Sequence, residues 1–219
     1  MEIGMETIVY GIFCILAGYL TGCINPAYFI ARMRGFDIRT KGSGNAGASN
    51  AVITMGKGIG IFTALFDIGK AIFITQFMRG LLDTFAMAFI LTAVSCILGH
   101  IFPFYMQFRG GKGLAALGGV VLSYDWKIFL IFLCVELVLV LLSDYLCMVP
   151  VTASVAFTFV YGWQSRSLLG TCALLLATGA ILYRHVENFR RIRNGTEVHF
   201  SYLWKGEKEL ERISSDQSK

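Results

Sequence analysis

Charged residues and prolines are both scarce in this sequence of 219 residues: Asp, Glu, Lys and Arg make up 15% of it, and there are three prolines. Hydrophobic residues make up 56%, and the mean hydropathy is +0.65. A water-soluble domain rarely has this composition. The composition therefore predicts an all-α integral membrane protein, with one polytopic membrane domain over residues 1–219 and no separate soluble domain.

Signals for secretion, metal binding and disulfide formation are also lacking. The N-terminus carries Glu2 and Glu6 instead of the Lys or Arg of a signal peptide, so the first apolar segment is expected to be retained. The six cysteines form no CxxC pattern, and none is paired with His at metal-ligand spacing. We interpret them as small hydrophobic residues and predict no metal and no cofactor.

The excess of basic residues, a formal charge of +5, is not arranged for binding nucleic acid. The basic residues lie between apolar segments, and they do not line one amphipathic face or one tail. Membrane orientation explains this distribution better, so no nucleic-acid partner is expected.

Six apolar stretches have the length and composition of transmembrane helices. They cover residues 8–30, 58–78, 82–98, 128–142, 146–163 and 168–183. A seventh stretch, residues 114–123, is apolar but covers only about half of a hydrocarbon core about 30 Å thick. We predict that it crosses as a short helix, which gives seven transmembrane helices in all.

The distribution of Lys and Arg favours seven crossings. With seven, one side of the membrane receives most of the cations, while the other keeps only Arg79, Lys127 and Arg166. By the positive-inside rule the cation-rich side is cytoplasmic, so the N-terminus lies outside and the tail, about residues 186–219, lies in the cytoplasm. This topology gathers three unusual polar segments on the cytoplasmic face, where the loops are expected to form the functional site.

The first polar segment, residues 41–50, reads KGSGNAGASN. Its glycines let the backbone approach a ligand closely, and successive N–H groups in such a loop can form an anion nest. Ser43 and Asn45 add side-chain donors, and Lys41 adds a positive charge. An ordinary flexible loop is the alternative, but the density of small residues favours phosphate binding.

The second polar segment, residues 109–113, reads RGGKG and directly precedes the short apolar stretch. A helix N-terminus favours anions through its free N–H groups and its dipole, and two cations flank the glycines here. An NTPase is disfavoured because no lysine completes a Walker A pattern. A basic interfacial anchor is the alternative, although it does not account for the three glycines.

The third segment begins at His185, which is followed by Glu187 and Asn188. His185 and His100 are each expected where a helix meets the cytoplasmic surface, a position suited to a base or a phosphate donor. A structural role is the alternative for both. No Asp stands five residues after any histidine, which argues against an HxxxxD acyltransferase.

Asp67 and Lys70 are ionisable residues inside the second apolar stretch, one turn apart on the same helix face. Ionisable groups at such a depth are costly and usually face the interior of a bundle or an aqueous cavity. Mutual neutralisation is one interpretation; the other is the route of a transporter, or the site of a binding protein, for a phosphorylated metabolite. Glu136 has no evident partner in the sequence.

The polar motifs occur in one order along nearly the whole chain: Gly42-Ser43-Gly44-Asn45-x-Gly47-Ala48-x-Asn50, Asp67-x-x-Lys70, Gly99-His100-x-x-Pro103, Gly110-Gly111-Lys112-Gly113, and His185-x-x-Asn188 with Gly195-Thr196-Glu197. In this order and spacing they resemble the bacterial acyl-phosphate:glycerol-3-phosphate acyltransferase family. The resemblance implies a seven-helix enzyme that transfers a fatty acyl group from acyl phosphate to the 1-hydroxyl of glycerol 3-phosphate, giving lysophosphatidic acid for phospholipid synthesis.

The resemblance also implies roles for residues. His185 and Asn188 would position or deprotonate the acceptor, and Ser43 would join them in catalysis. The phosphate groups would be bound by Lys41, Gly42, Gly44, Asn45, Gly47, Asn50, His100, Gly110, Gly111, Lys112, Gly113 and Glu197. The expected partners are acyl phosphate, glycerol 3-phosphate and membrane lipid, and the expected state is a monomer in the bacterial inner membrane.

Four positions depart from the family pattern. The family usually has Arg where this chain has Ile53, and an Arg-Tyr-x-Ser sequence where this chain reads Asp144-Tyr145-Leu146-Cys147. It commonly has Ser at the position of Cys23. Because a bidentate Arg contact to phosphate is not replaced by Ile, an acyltransferase with another hydroxyl acceptor stays a second hypothesis.

Overall fold

The computed structural model describes residues 4–201, and this part of the chain is helical with no β-strand. Its helices, in chain order, are α1 Met5–Cys23, α2 Pro26–Met33, α3 Ala48–Met55, α4 Lys57–Leu81, α5 Ala88–Ile101, α6 Leu114–Tyr124, α7 Trp126–Ser143, α8 Val149–Ser165 and α9 Leu168–Arg193. Six spans in this part of the chain are long and apolar enough to cross a membrane: α1, α4, α7 and α9, and α5 and α8 together with the 3₁₀ turns that extend them to Ala88–Met106 and Leu146–Ser165. α6 is a shorter apolar helix. The predicted all-α membrane fold is confirmed.

The first predicted span, residues 8–30, is not one helix. α1 ends at Cys23, and α2 begins at Pro26, whose fixed φ and missing N–H suit the first position of a helix. The Asn25 side chain caps α2 by accepting a hydrogen bond from the Tyr28 N–H at 2.9 Å. The prediction was wrong because apolar composition continues across the break and only Asn25-Pro26 marks it.

Glycines bring α1 and α5 into close contact. A Cβ added at Gly22 would collide with the Cys96 carbonyl, and one added at Gly99 would collide with the Tyr19 carbonyl. Such close backbone approach is typical of helix pairs in membranes, where small residues allow extensive van der Waals contact. The span that begins with α5, Ala88–Met106, is accordingly the most buried of the six, since 72% of it lies inside the protein.

The short helix α6 connects the two ends of the bundle. At its start, Gly113 lies against the side chains of Ile101 and Ile181. At its end, the Ser123 hydroxyl lies 2.7 Å from that of Thr75, and the Tyr124 hydroxyl donates to Gln164 at 3.0 Å. α6 is lined by protein on most sides, which explains how a helix of 11 residues occupies this position.

We call the end where α1, α5, α7 and α9 finish the site end, and the opposite end the far end. At the site end, α9 continues to Arg193, so the predicted polar tail from residue 186 is helical at first. The chain then folds back, and the Phe200 N–H donates to the Asp144 carbonyl at 2.6 Å. The remainder of the predicted tail, residues 202–219, lies outside the described residues.

α7 presents most of its side chains outward. Only Ile128, Glu136 and Val140 are buried along its 18 residues. Its exposed leucines, valines and isoleucines are what a lipid-facing helix requires. Glu136, which had no evident partner in the sequence, accepts a hydrogen bond from the Thr152 hydroxyl of α8 at 2.7 Å.

Candidate active site

Asn50 organises the glycine loop from inside. The residue lies in α3 and is fully buried. Its Oδ1 accepts from the Ser43 N–H at 2.8 Å, and its Nδ2 donates to the carbonyls of Ile38, Lys41 and Asn45 at 2.8–3.0 Å. Because these bonds occupy the amide, we assign Asn50 to shaping the loop; its predicted contact with phosphate stays a prediction.

The loop adopts the backbone conformations that its glycines permit. Gly42 and Gly44 have φ values of +58° and +71°, which L-residues with a side chain rarely adopt. Lys41 and Ser43 are exposed beside them, and the Lys41 ammonium lies 4.3 Å from the centroid of the Phe36 ring. The segment therefore presents the side chains of Lys41 and Ser43 to solvent from a fixed frame, while the N–H groups of Ser43 and Gly44 are bonded within the loop.

Two side chains fasten this loop to the rest of the site end. The Asn25 amide donates to the Ala46 carbonyl at 2.8 Å. The Arg39 guanidinium, held by Asp37 at 2.7 Å, donates to the Met106 carbonyl at 2.5 Å. The second contact joins the glycine loop to the segment that leads into Gly110, so the first two predicted segments do converge. The hydrogen bond from Arg39 also lowers the pKa of Asp37, which keeps that carboxylate charged.

The second loop folds back on the end of α5. The Gly110 N–H donates to the Ile101 carbonyl at 2.9 Å, and the Gly111 N–H donates to the His100 carbonyl at 3.0 Å. A Cβ at Gly111 would collide with the His100 imidazole. The glycine is thus required by close packing, and His100 supports the loop from below.

His100 belongs to a buried ionic cluster with Asp67 and Lys70. The Lys70 ammonium lies 2.7 Å from the Asp67 carboxylate, and His100 Nδ1 lies 3.4 Å from each of them. Lys70 also donates to the carbonyls of Gly22 and Ile24 at 2.9 and 2.5 Å, where the break between α1 and α2 leaves carbonyls without helical partners.

This cluster accounts for both intramembrane charges. Asp67 and Lys70 are 1% and 6% exposed, and each is compensated by the other and by its neighbours. The predicted neutralisation is therefore present, and the observation that favoured a transport route is explained without one. His100, which was predicted to contact phosphate, is only 4% exposed, so its position under Gly111 suits a supporting role.

The second and third segments meet in a chain of hydrogen bonds. The Lys112 ammonium donates to Asn188 Oδ1 at 2.5 Å, and Asn188 Nδ2 donates to Glu197 Oε1 at 2.6 Å. Burial lowers the pKa of Lys112, repulsion from Arg191 and Arg184 lowers it further, and Glu197 opposes both effects. An anion bound beside Lys112 would relieve that cost of burying its charge.

His185 lies one turn before Asn188 on α9 and is 1% exposed. Its Nδ1 lies 2.7 Å from the Ile181 carbonyl. Since a carbonyl can only accept, the imidazole carries its proton on Nδ1, and Nε2 of the neutral ring keeps a lone pair. That is the tautomer a general base requires.

Three of the four departures from the family pattern, Ile53, Asp144 and Cys147, have different surroundings. Ile53 is 67% exposed on α3 and makes no polar contact. The Asp144 carboxylate accepts from the N–H and the hydroxyl of Ser201, both at 2.7 Å, and so anchors the returning chain. Cys147 is partly buried just before the start of α8. The structure thus places no cation at residues 53 and 144.

Arg39 and Arg184 were not predicted as site residues, because the positive-inside rule already accounted for their charges. Arg39 bridges two loops. Arg184, directly before His185, donates to the Gly110 carbonyl at 3.2 Å. The sequence did contain a signal that Arg184 belongs to the site, because Arg184 lies one turn before Asn188 on the same helix face.

Comparison with known proteins identifies the family. The model of the glycerol-3-phosphate acyltransferase family matches residues 12–195. A glycerol-3-phosphate acyltransferase of Oceanobacillus iheyensis is 32% identical, with 90% of this chain and 98% of that protein covered. One of Clostridioides difficile is 36% identical, with coverages of 88% and 96%.

Solved structures of PlsY, an integral membrane glycerol 3-phosphate acyltransferase, have the same fold. The glycerol 3-phosphate form superposes with a TM-score of 0.79 at 28% identity, covering 88% of this chain and 96% of that one. The lysophosphatidic acid form gives a TM-score of 0.76 at 27% identity. On the family match and these relatives, the chain belongs to the glycerol-3-phosphate acyltransferase family of integral membrane proteins.

Proposed function

We propose that the protein transfers a fatty acyl group from acyl phosphate to the 1-hydroxyl of glycerol 3-phosphate and forms lysophosphatidic acid. The observation that carries this proposal is the hydrogen-bonded chain Lys112–Asn188–Glu197 beside the Nδ1-protonated His185. It combines a partly buried cation for a phosphate group with a base of the correct tautomer. The names of the related structures, a glycerol 3-phosphate form and a lysophosphatidic acid form, agree with the acceptor and the product.

The donor follows from the chemistry that the site supplies. An acyl phosphate is a mixed anhydride, so its acyl group is already activated and its phosphate is a good leaving group. The protein then needs to hold two anionic groups together and to stabilise the charge that develops on the carbonyl oxygen. The side chains at the site end suit that task, and no covalent enzyme intermediate is needed.

The reaction is a direct displacement at the acyl carbon. The 1-hydroxyl oxygen forms the new C–O ester bond, and the bond between the acyl carbon and the phosphate oxygen breaks to release inorganic phosphate. His185 Nε2 takes the hydroxyl proton, while Asn188 orients the acceptor. The leaving phosphate is a second destination for this proton, and the pH dependence of His185 variants distinguishes the two.

The phosphate groups are bound by the two glycine-containing loops. Lys112 and the N–H groups at the start of α6 bind one phosphate, because a helix N-terminus and a buried cation both favour an anion. The glycine loop contributes Ser43, Asn45 and Lys41. His100 and Asn50 support these loops from below, as their hydrogen bonds and burial suggest.

The proposed setting is the bacterial inner membrane. There the chain forms one membrane domain and acts as a monomer, with seven crossings that place the N-terminus outside and the site end in the cytoplasm. Reporters fused after Arg193 and at the N-terminus test this orientation. A periplasmic signal from the C-terminal reporter would contradict it, because both substrates carry charged groups that enter from the cytoplasm.

The donor is tested with purified protein in detergent. Palmitoyl phosphate and palmitoyl-CoA are offered separately with radiolabelled glycerol 3-phosphate. We expect labelled lysophosphatidic acid from palmitoyl phosphate alone. Product from palmitoyl-CoA at an equal or higher rate would overturn the proposed donor, and palmitoyl transfer to glycerol but not to glycerol 3-phosphate would overturn the proposed acceptor.

A further inference from the structure

Among the arginines within residues 4–201, Arg184 is the one with a buried side-chain N–H donor that has no hydrogen-bond partner. It lies on α9 between Ile181 and His185, and its Nη2 donates to the Gly110 carbonyl at 3.2 Å. Its Nε is buried and has no hydrogen-bond partner among residues 4–201. A guanidinium offers five N–H donors, so one carbonyl leaves most of this capacity unused.

The charged side chains near Arg184 are cations, whereas an arginine that only stabilises the fold would be expected to pair with a carboxylate. Arg109 and Lys112 are its charged neighbours, and its own charge contributes to the lowered pKa of Lys112. No salt bridge joins it to a carboxylate within the described part of the chain. A cluster of three cations with one buried donor unsatisfied is costly unless an anion occupies it.

Three other arginines at the site end have carboxylate partners. Arg39 is held by Asp37 at 2.7 Å. Arg190 and Arg191, two turns further along α9, lie 3.7 and 3.5 Å from Glu187 and are more exposed. Orientation by positive charge requires only exposed residues of this kind. The partial burial of Arg184 against the second phosphate loop therefore needs a different explanation.

We propose that Arg184 binds a phosphate group of one of the two substrates, donating its Nε–H and an Nη–H while it keeps its contact with Gly110. The inference rests on the proposed function and deepens it. Arg184 lies one turn before Asn188 on the same face of α9, so a phosphate between Arg184 and Lys112 would contact both the loop and the helix. Arg184 thereby supplies a further cation beside Lys112, whereas Ile53 and Asp144 supply none.

Substrate kinetics test the assignment. We expect Arg184→Gln to raise the KM for one substrate by about ten-fold to about a hundred-fold, the range for losing a charge-assisted hydrogen bond, with a smaller change in kcat. A rise for glycerol 3-phosphate assigns the residue to the acceptor, and a rise for palmitoyl phosphate assigns it to the donor. Arg184→Lys should recover part of the loss because the charge remains. Unchanged KM values for both substrates would overturn the proposal.

The matched control is Arg190→Gln on the same helix, which removes an exposed arginine and should leave both KM values within about two-fold. Ligand-induced stabilisation provides a readout independent of turnover. Inorganic phosphate and glycerol 3-phosphate should each raise the Tm of the wild-type protein, glycerol should not, and the increase should shrink in Arg184→Gln. An undiminished increase in that variant would contradict phosphate binding.

These Tm measurements separate the two proposals. If the wild-type protein transfers nothing from palmitoyl phosphate, the proposed donor fails, yet the stabilisation by phosphate still tests Arg184. If Arg184→Gln has a lower Tm than the wild type without ligand, the Arg184→Lys variant distinguishes binding from structure. A wild-type Tm in Arg184→Lys, with a smaller increase in Tm on adding phosphate, supports binding. The wild-type response in Arg184→Lys, together with wild-type KM values, would assign Arg184 to structure alone.

Discussion

The two ends of the helical bundle differ in what their polar residues contact. At the far end the connections are short, Asp125 and Ser167 cap the helices that follow them, and the bonds between distant segments join neutral side chains, Thr75 with Ser123 and Tyr124 with Gln164. At the site end, Asn50 holds the glycine loop from within, and the ammonium of Lys112 binds Asn188, 76 residues away in the sequence. Stability alone requires only the far-end arrangement, so the additional polar framework at the site end indicates function.

The largest effect is expected from His185→Gln, which removes the base but keeps a buried polar group. We expect kcat to fall by about 100-fold to about 10,000-fold, the range for losing general acid–base catalysis, while the Tm changes little. His199→Gln is the matched control at the same end, because His199 contacts Tyr145 and lies outside the proposed machinery. Equal losses in both variants would remove His185 from its assigned role.

Asp67→Asn tests the ionic cluster that supports the second loop. The change leaves the buried Lys70 without its carboxylate, so we expect a loss of about 3–5 kcal/mol in the free energy of unfolding. Thermal unfolding in detergent measures it, and the double variant Asp67→Asn/Lys70→Met should recover much of the loss. A variant as stable as the wild type would show that the cluster does not support the site end.

A smaller effect is expected from pH. Because burial lowers the pKa of Lys112, this ammonium should lose its proton below the ordinary lysine pKa of 10.5, and phosphate binding should weaken there. The ratio kcat/KM for glycerol 3-phosphate should therefore fall on the alkaline side below pH 10.5. Lys112→Arg should move that fall to higher pH, and an unmoved profile would assign it to another group.

Much of the fold could be predicted because the bilayer requires long apolar helices, and the sequence shows them plainly. The break before Pro26 was missed although Asn25-Pro26 is a helix-start signal, since hydrophobicity continues across it. The extension of α9 to Arg193 was missed because the charged residues after Tyr183 resemble a tail.

The site was predictable in its segments but less so in the roles of its residues. The density of glycines and the order of the motifs along the chain identified the polar segments. The hydrogen bond between Lys112 and Asn188 joins the second of these segments to the third. Sequence could not reveal that the Asn50 amide is occupied by the loop backbone or that His100 lies beneath Gly111, because both depend on tertiary contacts. The role proposed for Arg184 was missed for a different reason: the positive-inside rule already accounted for its charge.

The most direct test of the account compares one lysine from each end. Lys112 precedes α6 at the site end, and Lys127 lies in the first turn of α7 at the far end, where it is exposed beside Trp126. Each is replaced by Ala, and the rate of lysophosphatidic acid formation from palmitoyl phosphate is measured for both. We predict a loss of at least about 100-fold for Lys112→Ala and a rate within about two-fold of the wild type for Lys127→Ala. Similar rates in the two variants, or a larger loss for Lys127→Ala, would contradict the placement of the chemistry at the site end.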